Sequence, residues 1–315
     1  MPAHEPTKSK LRFWTIFALS LFLVSVLLNA FLLIRESNET DSFSVAKAKY
    51  PFLDPAQGFY DNSDLLVTLH PLRVQLQNMT QGKDNVTIYF EFLNTGANIS
   101  LNEVPFFPGS LMKIPVAMAV MKNVDDGTWS LDGTRLTLTD ADKNPQYGDL
   151  YTVPSGTTFT VRELLAKLLV NSDDTARSMF IRTVGEDNIA DVLSYLGLED
   201  IFNTNLEIGA RRYSNFFRAL YESSYLSPES SQLLLQVLNT PHDEKLLPSG
   251  IPSSIDFSHK IGVNGDTYSD SGIVYAPNRP YMLTVAMQST SSAEVQTMME
   301  NISSAVYQYV TKNQQ

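Results

Sequence analysis

The sequence predicts an α/β protein of the α+β sandwich kind. One antiparallel sheet of about five strands is drawn from both chain ends and flanked by terminal helices, with a helical subdomain inserted and a transmembrane helix at the N-terminus. Three observations predict it. Runs rich in β-branched and aromatic residues occur early (Val86 to Leu93, Ala97 to Glu103) and late (Ile255 to Val263, Gly272 to Ala276, Tyr281 to Gln288). The middle of the chain instead repeats apolar residues at helical spacing. Before all of this, Trp14 to Ile34 contains no charged residue.

That first run is about 21 residues long, enough to cross a hydrocarbon core roughly 30 Å thick. Lys8, Lys10 and Arg12 precede it, and Glu36, Glu39 and Asp41 follow Arg35. The excess of basic residues on the N-terminal side places residues 1–13 in the cytoplasm and everything after Arg35 outside. A cleaved signal peptide would have a shorter apolar core and a small-residue cleavage site; this run ends in Leu32-Leu-Ile-Arg. The organisation expected is a cytoplasmic tail (1–13), a signal anchor (14–34), a polar linker (35–60) and a folded domain (61–313).

Within the domain, Leu65, Leu69, Leu72 and Leu76 predict a helix from Asp64 to Gln81 despite Pro71. Val86 to Leu93, the turn Asn94-Thr-Gly and the return Ala97 to Glu103 predict a hairpin. Ser110 to Val124 is apolar at helical period, with Pro115 close enough to the start to be tolerated. Thr160-Val-Arg-Glu163 is a capping box that opens a helix to about Val170. Ser172 to Val184, Ile189 to Leu196, Tyr213 to Tyr225 and Pro228 to Leu238 are further helix candidates, and Ala293 to Val310 is a closing amphipathic helix.

Composition excludes several function classes. The net charge of −11 argues against nucleic acid, whose phosphates need a basic patch. The chain has no cysteine, so thiolate chemistry, disulfides and thiolate metal sites are excluded. His4, His70, His242 and His259 lack metal-ligand spacing, and the glycine patterns of nucleotide binding are missing. No cofactor is expected.

The chemistry concentrates in Pro108-Gly-Ser-Leu-Met-Lys113. Ser110 would open an apolar helix, and Lys113 would stand one turn further on the same face. A serine hydroxyl needs a base to take its proton, and a lysine serves if burial depresses its pKa. Alone, the four letters also fit a capping serine followed by a surface lysine. Two further elements follow in order: Val170-Asn-Ser-Asp-Asp-Thr-Ala176 and His259-Lys-Ile-Gly262. With Thr160-Val-Arg-Glu-Leu-Leu165 before the second and Asp270-Ser-Gly-Ile-Val-Tyr275 after the third, the chain resembles the class A β-lactamases and penicillin-binding proteins, active-site serine hydrolases with Ser-x-x-Lys, Ser-Asp-Asn and Lys-Thr-Gly elements. The resemblance spans roughly residues 61 to 312.

That resemblance implies roles. Ser110 would attack an activated amide carbonyl, as in a β-lactam or a D-Ala-D-Ala-type peptide. Lys113 would take its proton directly or through water, and Ser172 would relay a proton to the leaving nitrogen. Lys260 would attract the substrate carboxylate from the strand of Gly262, and the backbone N–H groups of Ser110 and Val263 would form the oxyanion hole. The sequence departs from the family pattern at three places. Asp174 replaces an asparagine, so a carboxylate that only accepts stands where an amide would also donate. Ile261 replaces a hydroxyl residue beside Lys260. The Glu-x-x-Asn loop used for deacylation is not recognisable; Glu207 falls at nearly the right count and is the candidate deacylation base. The sequence therefore supports a β-lactamase-type hydrolase, with a D,D-carboxypeptidase or penicillin-binding enzyme and a catalytically impaired binding protein as alternatives.

Overall fold

The computed structural model describes residues 7–53, 68–204, 206–239 and 245–312. The chain divides into two compact units, Met1–Lys49 and Tyr50–Gln315.

The first unit is one helix, α1 (Thr7–Lys49). Its described side chains from Ile16 to Leu32 are exposed, with Phe17, Leu21, Phe22 and Phe31 among them. Among the described residues no helix is long and apolar enough to cross a membrane. The transmembrane helix expected from the sequence is thus not found among the described residues. The polar linker expected over 35–60 also differs. The helix runs on to Lys49, because no glycine or proline interrupts the chain until Pro51.

The second unit begins at Tyr50. Phe52 and Leu53 are buried, and the Phe52 ring meets Tyr275 edge-on at 4.9 Å. The Phe52 N–H donates to Gln232 Oε1 at 3.1 Å, so this end of the expected linker is part of the core. Of the predicted helix Asp64 to Gln81, the first residues lie outside the described ones, and α2 occupies His70–Met79 with Pro71 in its first turn. The hairpin follows as β1 (Val86–Phe92) and β2 (Asn98–Leu101).

Helices make up most of the middle: α3 (Lys113–Asp125), α4 (Val161–Leu169), α5 (Asp174–Val184), α6 (Glu186–Tyr195), α7 (Ala210–Tyr213), α8 (Asn215–Tyr221) and α9 (Pro228–Leu238). The capping box forms as predicted: Thr160 Oγ1 accepts from the Glu163 N–H at 3.1 Å, and Glu163 Oε2 accepts from the Thr160 N–H at 2.7 Å. β3 (Phe257–Asn264), β4 (Thr267–Val274) and β5 (Tyr281–Gln288) follow, and α10 (Ser292–Lys312) closes the chain. A two-stranded ribbon, Arg135–Thr137 with Thr158–Thr160, was not expected from the sequence. Each of its strands is only three residues long, too short to show an alternating pattern.

The main sheet is antiparallel with order β2-β1-β5-β4-β3. One face packs Val86, Ile88, Phe90, Leu283 and Val285 against Leu72 and Leu76 of α2 and Val295, Met299, Ile302 and Val306 of α10. The other face contributes Ile273, Met282 and Ala286 to the core of the helical middle. Both faces are covered, so the strands are buried along nearly their whole length. β3 is left as an edge strand, and the start of α3 lies against it.

Candidate active site

A 3₁₀ turn, Gly109–Met112, leads into α3 and places Ser110. Two glycines let this turn lie flat on β3. Gly109 has φ +53°, and a Cβ there would fall 2.7 Å from Val263 O and 3.2 Å from Val263 N. A Cβ on Gly262 would meet Pro108 O at 2.2 Å. The backbones around Ser110 and Val263 are therefore side by side, as an oxyanion hole built from their N–H groups requires. The buried Tyr213 pins the turn from behind, its hydroxyl donating to Leu111 O at 2.9 Å; burial raises the pKa of that hydroxyl well above its ordinary value.

Lys113, the first residue of α3, is 1% exposed. Its ammonium donates to Ser110 Oγ at 2.9 Å, to Ser172 O at 2.6 Å and to Ser172 Oγ at 3.3 Å, and pairs with Asp174 Oδ1 at 2.7 Å. Burial lowers the Lys113 pKa, the hydrogen bond and charge of Asp174 oppose that shift, and the Arg177 charge adds to the lowering. An ammonium has three hydrogens, and the three shortest contacts use them. In this state Ser110 Oγ is an acceptor. Lys113 can take a proton from Ser110 only after giving one up.

Ser172 reaches Lys113 with both its carbonyl and its hydroxyl because its backbone is left-handed, φ +54°. It does not cap α5. Asp173 does: its Oδ1 accepts from the Ala176 N–H at 2.9 Å. Asp173 is fully buried, and its Oδ2 accepts from the Asp149 and Leu150 N–H groups, each at 2.9 Å. The Asp174 N–H donates to Tyr147 O at 3.0 Å. The Tyr147–Leu150 loop is thus fastened onto the second motif, with the exposed Tyr147 at its tip. Gly148, at φ +85°, makes this possible, since a Cβ there would fall 2.0 Å from Asp173 Oδ2. Sequence reasoning missed Tyr147 and Gly148. The Tyr147-Gly-Asp149 turn is a visible signal, but nothing in the sequence says what it folds against.

On β3, Lys260 is 2% exposed and donates to Ile261 O at 3.4 Å. Alternation turns its neighbours to the opposite face. Ile261 joins the apolar cluster under α2 and α10. His259 is buried with Nδ1 2.8 Å from Asp270 Oδ1, its ring stacked on Phe257 at 4.6 Å.

Glu207 is placed differently. It is exposed and lines a groove with Glu103, Pro105, Arg211 and Arg212, a groove whose lining includes none of Ser110, Lys113 and Ser172. The next residue, Ile208, forms a two-way bridge with Phe106: the Phe106 N–H donates to Ile208 O at 3.1 Å, and the Ile208 N–H to Phe106 O at 3.0 Å. Among the described residues, no group of His, Asp or Glu could hold a metal ion.

A serine turn on an edge strand, with a buried lysine shared between two serines, is the arrangement that an active-site serine hydrolase uses. The family model described as Beta-lactamase enzyme family matches residues 71–310, and the chain belongs to that family. Beta-lactamase VEB-1 of Pseudomonas aeruginosa is 20% identical over 238 residues, covering 66% of this chain and 78% of VEB-1. The solved structure of PBP-A matches with a TM-score of 0.70 at 25% identity, covering 78% of this chain and 97% of PBP-A. A PBP-A mutant solved as an acyl-enzyme complex with penicillin-G matches equally well at 24% identity. A β-lactamase from Chitinophaga pinensis matches with a TM-score of 0.68 at 21% identity, covering 76% of this chain and 99% of the other, which supports the shared fold.

Proposed function

We propose that this chain is a membrane-anchored, extracytoplasmic serine enzyme that forms an acyl-enzyme at Ser110 with β-lactams or related amides. One observation carries the reading: Lys113 Nζ bridges Ser110 Oγ and Ser172 from a buried position. With Lys113 as the neutral amine, the Ser110 proton passes to Nζ as Oγ bonds to the carbonyl carbon. The Ser110 and Val263 N–H groups bind the resulting oxyanion. Collapse breaks the C–N bond, and Ser172 passes the proton from Lys113 to the leaving nitrogen. Lys260 attracts the carboxylate that lies beyond the scissile bond, with Gly262 keeping the strand close.

The position of Glu207 favours the second reading, a penicillin-binding or D,D-carboxypeptidase-type enzyme on cell-wall peptides. With Glu207 in a groove lined without Ser110, water activation by that carboxylate is not supported, and an acyl group on Ser110 would be slow to leave. The anchor reading rests on the uncharged run Trp14 to Ile34, the basic residues before it and the exposed apolar side chains of α1.

Mass spectrometry of the full-length chain after exposure to a β-lactam tests the chemistry. One adduct on Ser110 that decays over many minutes, and none in Ser110→Ala, is expected. An unmodified parent would refute acylation, and rapid turnover of a chromogenic cephalosporin would restore the β-lactamase reading. Protease digestion of intact cells tests the anchor, which predicts residues after Arg35 to be accessible from outside.

A further inference from the structure

Across the sheet runs a row of buried hydroxyls that the acylation chemistry does not use. Lys260, Ser271 and Thr284 are register partners on β3, β4 and β5, so their side chains stand in line on one face of the sheet. It is the face of Ile273, Met282 and Ala286, which packs on the helical middle. Ser271 Oγ lies 2.6 Å from Thr284 Oγ1, and Thr284 Oγ1 lies 2.8 Å from Ser214 Oγ. Ser214 Oγ donates to Ala210 O at 2.9 Å. All three hydroxyl residues are buried. Each hydroxyl has one hydrogen, and a carbonyl only accepts. The Ala210 carbonyl therefore sets the direction of the series: Ser214 donates to it, Thr284 donates to Ser214, and Ser271 donates to Thr284. Ser271 Oγ is left with acceptor lone pairs, and no hydrogen, for its other neighbour in the row, Lys260. The residue before Ser214 reaches the other part of the site, since the Tyr213 hydroxyl donates to Leu111 O, one residue past Ser110. Two adjacent residues at the end of α7 thus hold the nucleophile turn and the hydroxyls that end beside Lys260.

We propose that Ser271, Thr284 and Ser214 are positioning residues for Lys260, and that the Tyr213–Ser214 pair keeps this carboxylate-binding lysine aligned with the Ser110 turn. The proposal rests on the acylation reading and adds the residues that set affinity for the substrate carboxylate. An acceptor oxygen beside an ammonium steadies it, whereas a hydroxyl hydrogen turned toward it would repel it. Removing Thr284 Oγ1 frees the Ser271 hydrogen to turn toward β3. A change at Thr284 therefore acts on Lys260 through Ser271, from the far side of β4.

Acylation of the full-length chain by benzylpenicillin, followed by mass spectrometry over a range of concentrations, separates the half-saturating concentration from the maximal rate. Thr284→Val keeps the shape and removes the hydroxyl. It is expected to raise the half-saturating concentration roughly five- to tenfold and to leave the maximal rate within about threefold. Tyr213→Phe is expected to do the reverse, lowering the maximal rate roughly tenfold with little change in half-saturation. The methyl ester of benzylpenicillin, which lacks the carboxylate, is the second probe. The parent is expected to prefer the acid by about tenfold or more, Thr284→Val to lose most of that preference, and Thr284→Ser, which restores the hydroxyl, to keep it. Ser271→Ala takes the place of Thr284→Val if that variant fails to fold. Equal losses for acid and ester, a change confined to the maximal rate, or a loss of preference in Thr284→Ser as large as in Thr284→Val overturns the proposal. An absence of adduct in the parent overturns the acylation reading and this proposal with it; a parent that is acylated, with an acid preference that Thr284→Val leaves unchanged, overturns the proposal alone.

Discussion

The site has two walls, and they are built by different physics. The helix wall, from Ser110 through Ser172 to Asp174, is held by polar contacts that converge on one buried ammonium. The strand wall, from Lys260 to Val263, is held by close backbone packing in which two glycines leave no room for a side chain. The first wall is tuned by charge and the second by volume. Asp173 and Asp174 show the same contrast at the scale of adjacent residues. Asp173 spends its oxygens on backbone N–H groups and fixes the Tyr147–Leu150 loop and the start of α5. Asp174 pairs with the Lys113 ammonium at 2.7 Å and keeps 13% exposure. The lesson is that one carboxylate is used up on backbone N–H groups while the next meets the buried ammonium.

Four changes would break or sharpen this contrast. Lys113→Met should reduce Ser110 acylation by about 1000-fold or more, since it removes the base; a loss below tenfold in stopped-flow acylation would dissolve the distinction between the walls. Gly262→Ala should destabilise the domain by about 1–3 kcal/mol through overpacking against Pro108 and slow acylation as well, seen as a lower midpoint in denaturant together with a lower adduct rate. Asp173→Asn should cost roughly 1.5–3 kcal/mol by weakening charge-assisted hydrogen bonds in a fully buried site. Asp174→Asn should cost less in the same urea titration, because the side chain keeps 13% exposure and its amide oxygen can still accept from Lys113. Equal losses for the two aspartates would erase their difference.

The smallest effect is on pH dependence. Burial lowers the Lys113 pKa below its usual 10.5 while Asp174 raises it. Acylation should therefore rise with pH as Lys113 loses its proton, with a midpoint below 10.5, and Asp174→Asn should move that midpoint further down. The stability sign follows. Between the lowered folded value and 10.5 the unfolded chain binds more protons, so this group makes the fold more stable as pH rises through that window. A midpoint unmoved by Asp174→Asn would separate the carboxylate from the base.

Much of the architecture was legible because it rests on local signals. The capping box at Thr160, the β-branched run of β1, the strand Tyr281–Gln288 and the helix Pro228–Leu238 are written in neighbouring letters. The three motifs were legible for the same reason, since each is a few residues long. Glu207 lines a groove without Ser110, and counting along the chain does not register the Phe106–Ile208 bridge that fixes its neighbour. The charge pattern around Trp14 to Ile34 predicts an orientation, and among the described residues no helix is long and apolar enough to cross a membrane.

By itself, the order of residues determined which segments are helix or strand and which side chains could act as nucleophile, base and anchor, because periodicity and short motifs are properties of near neighbours. Only the tertiary structure decided that Lys113 is shared by Ser110, Ser172 and Asp174, that Asp173 rather than Ser172 caps α5, and that Gly148 and Gly262 are required. Those facts depend on contacts between residues far apart in the chain, where distance and excluded volume, not sequence spacing, set what can meet.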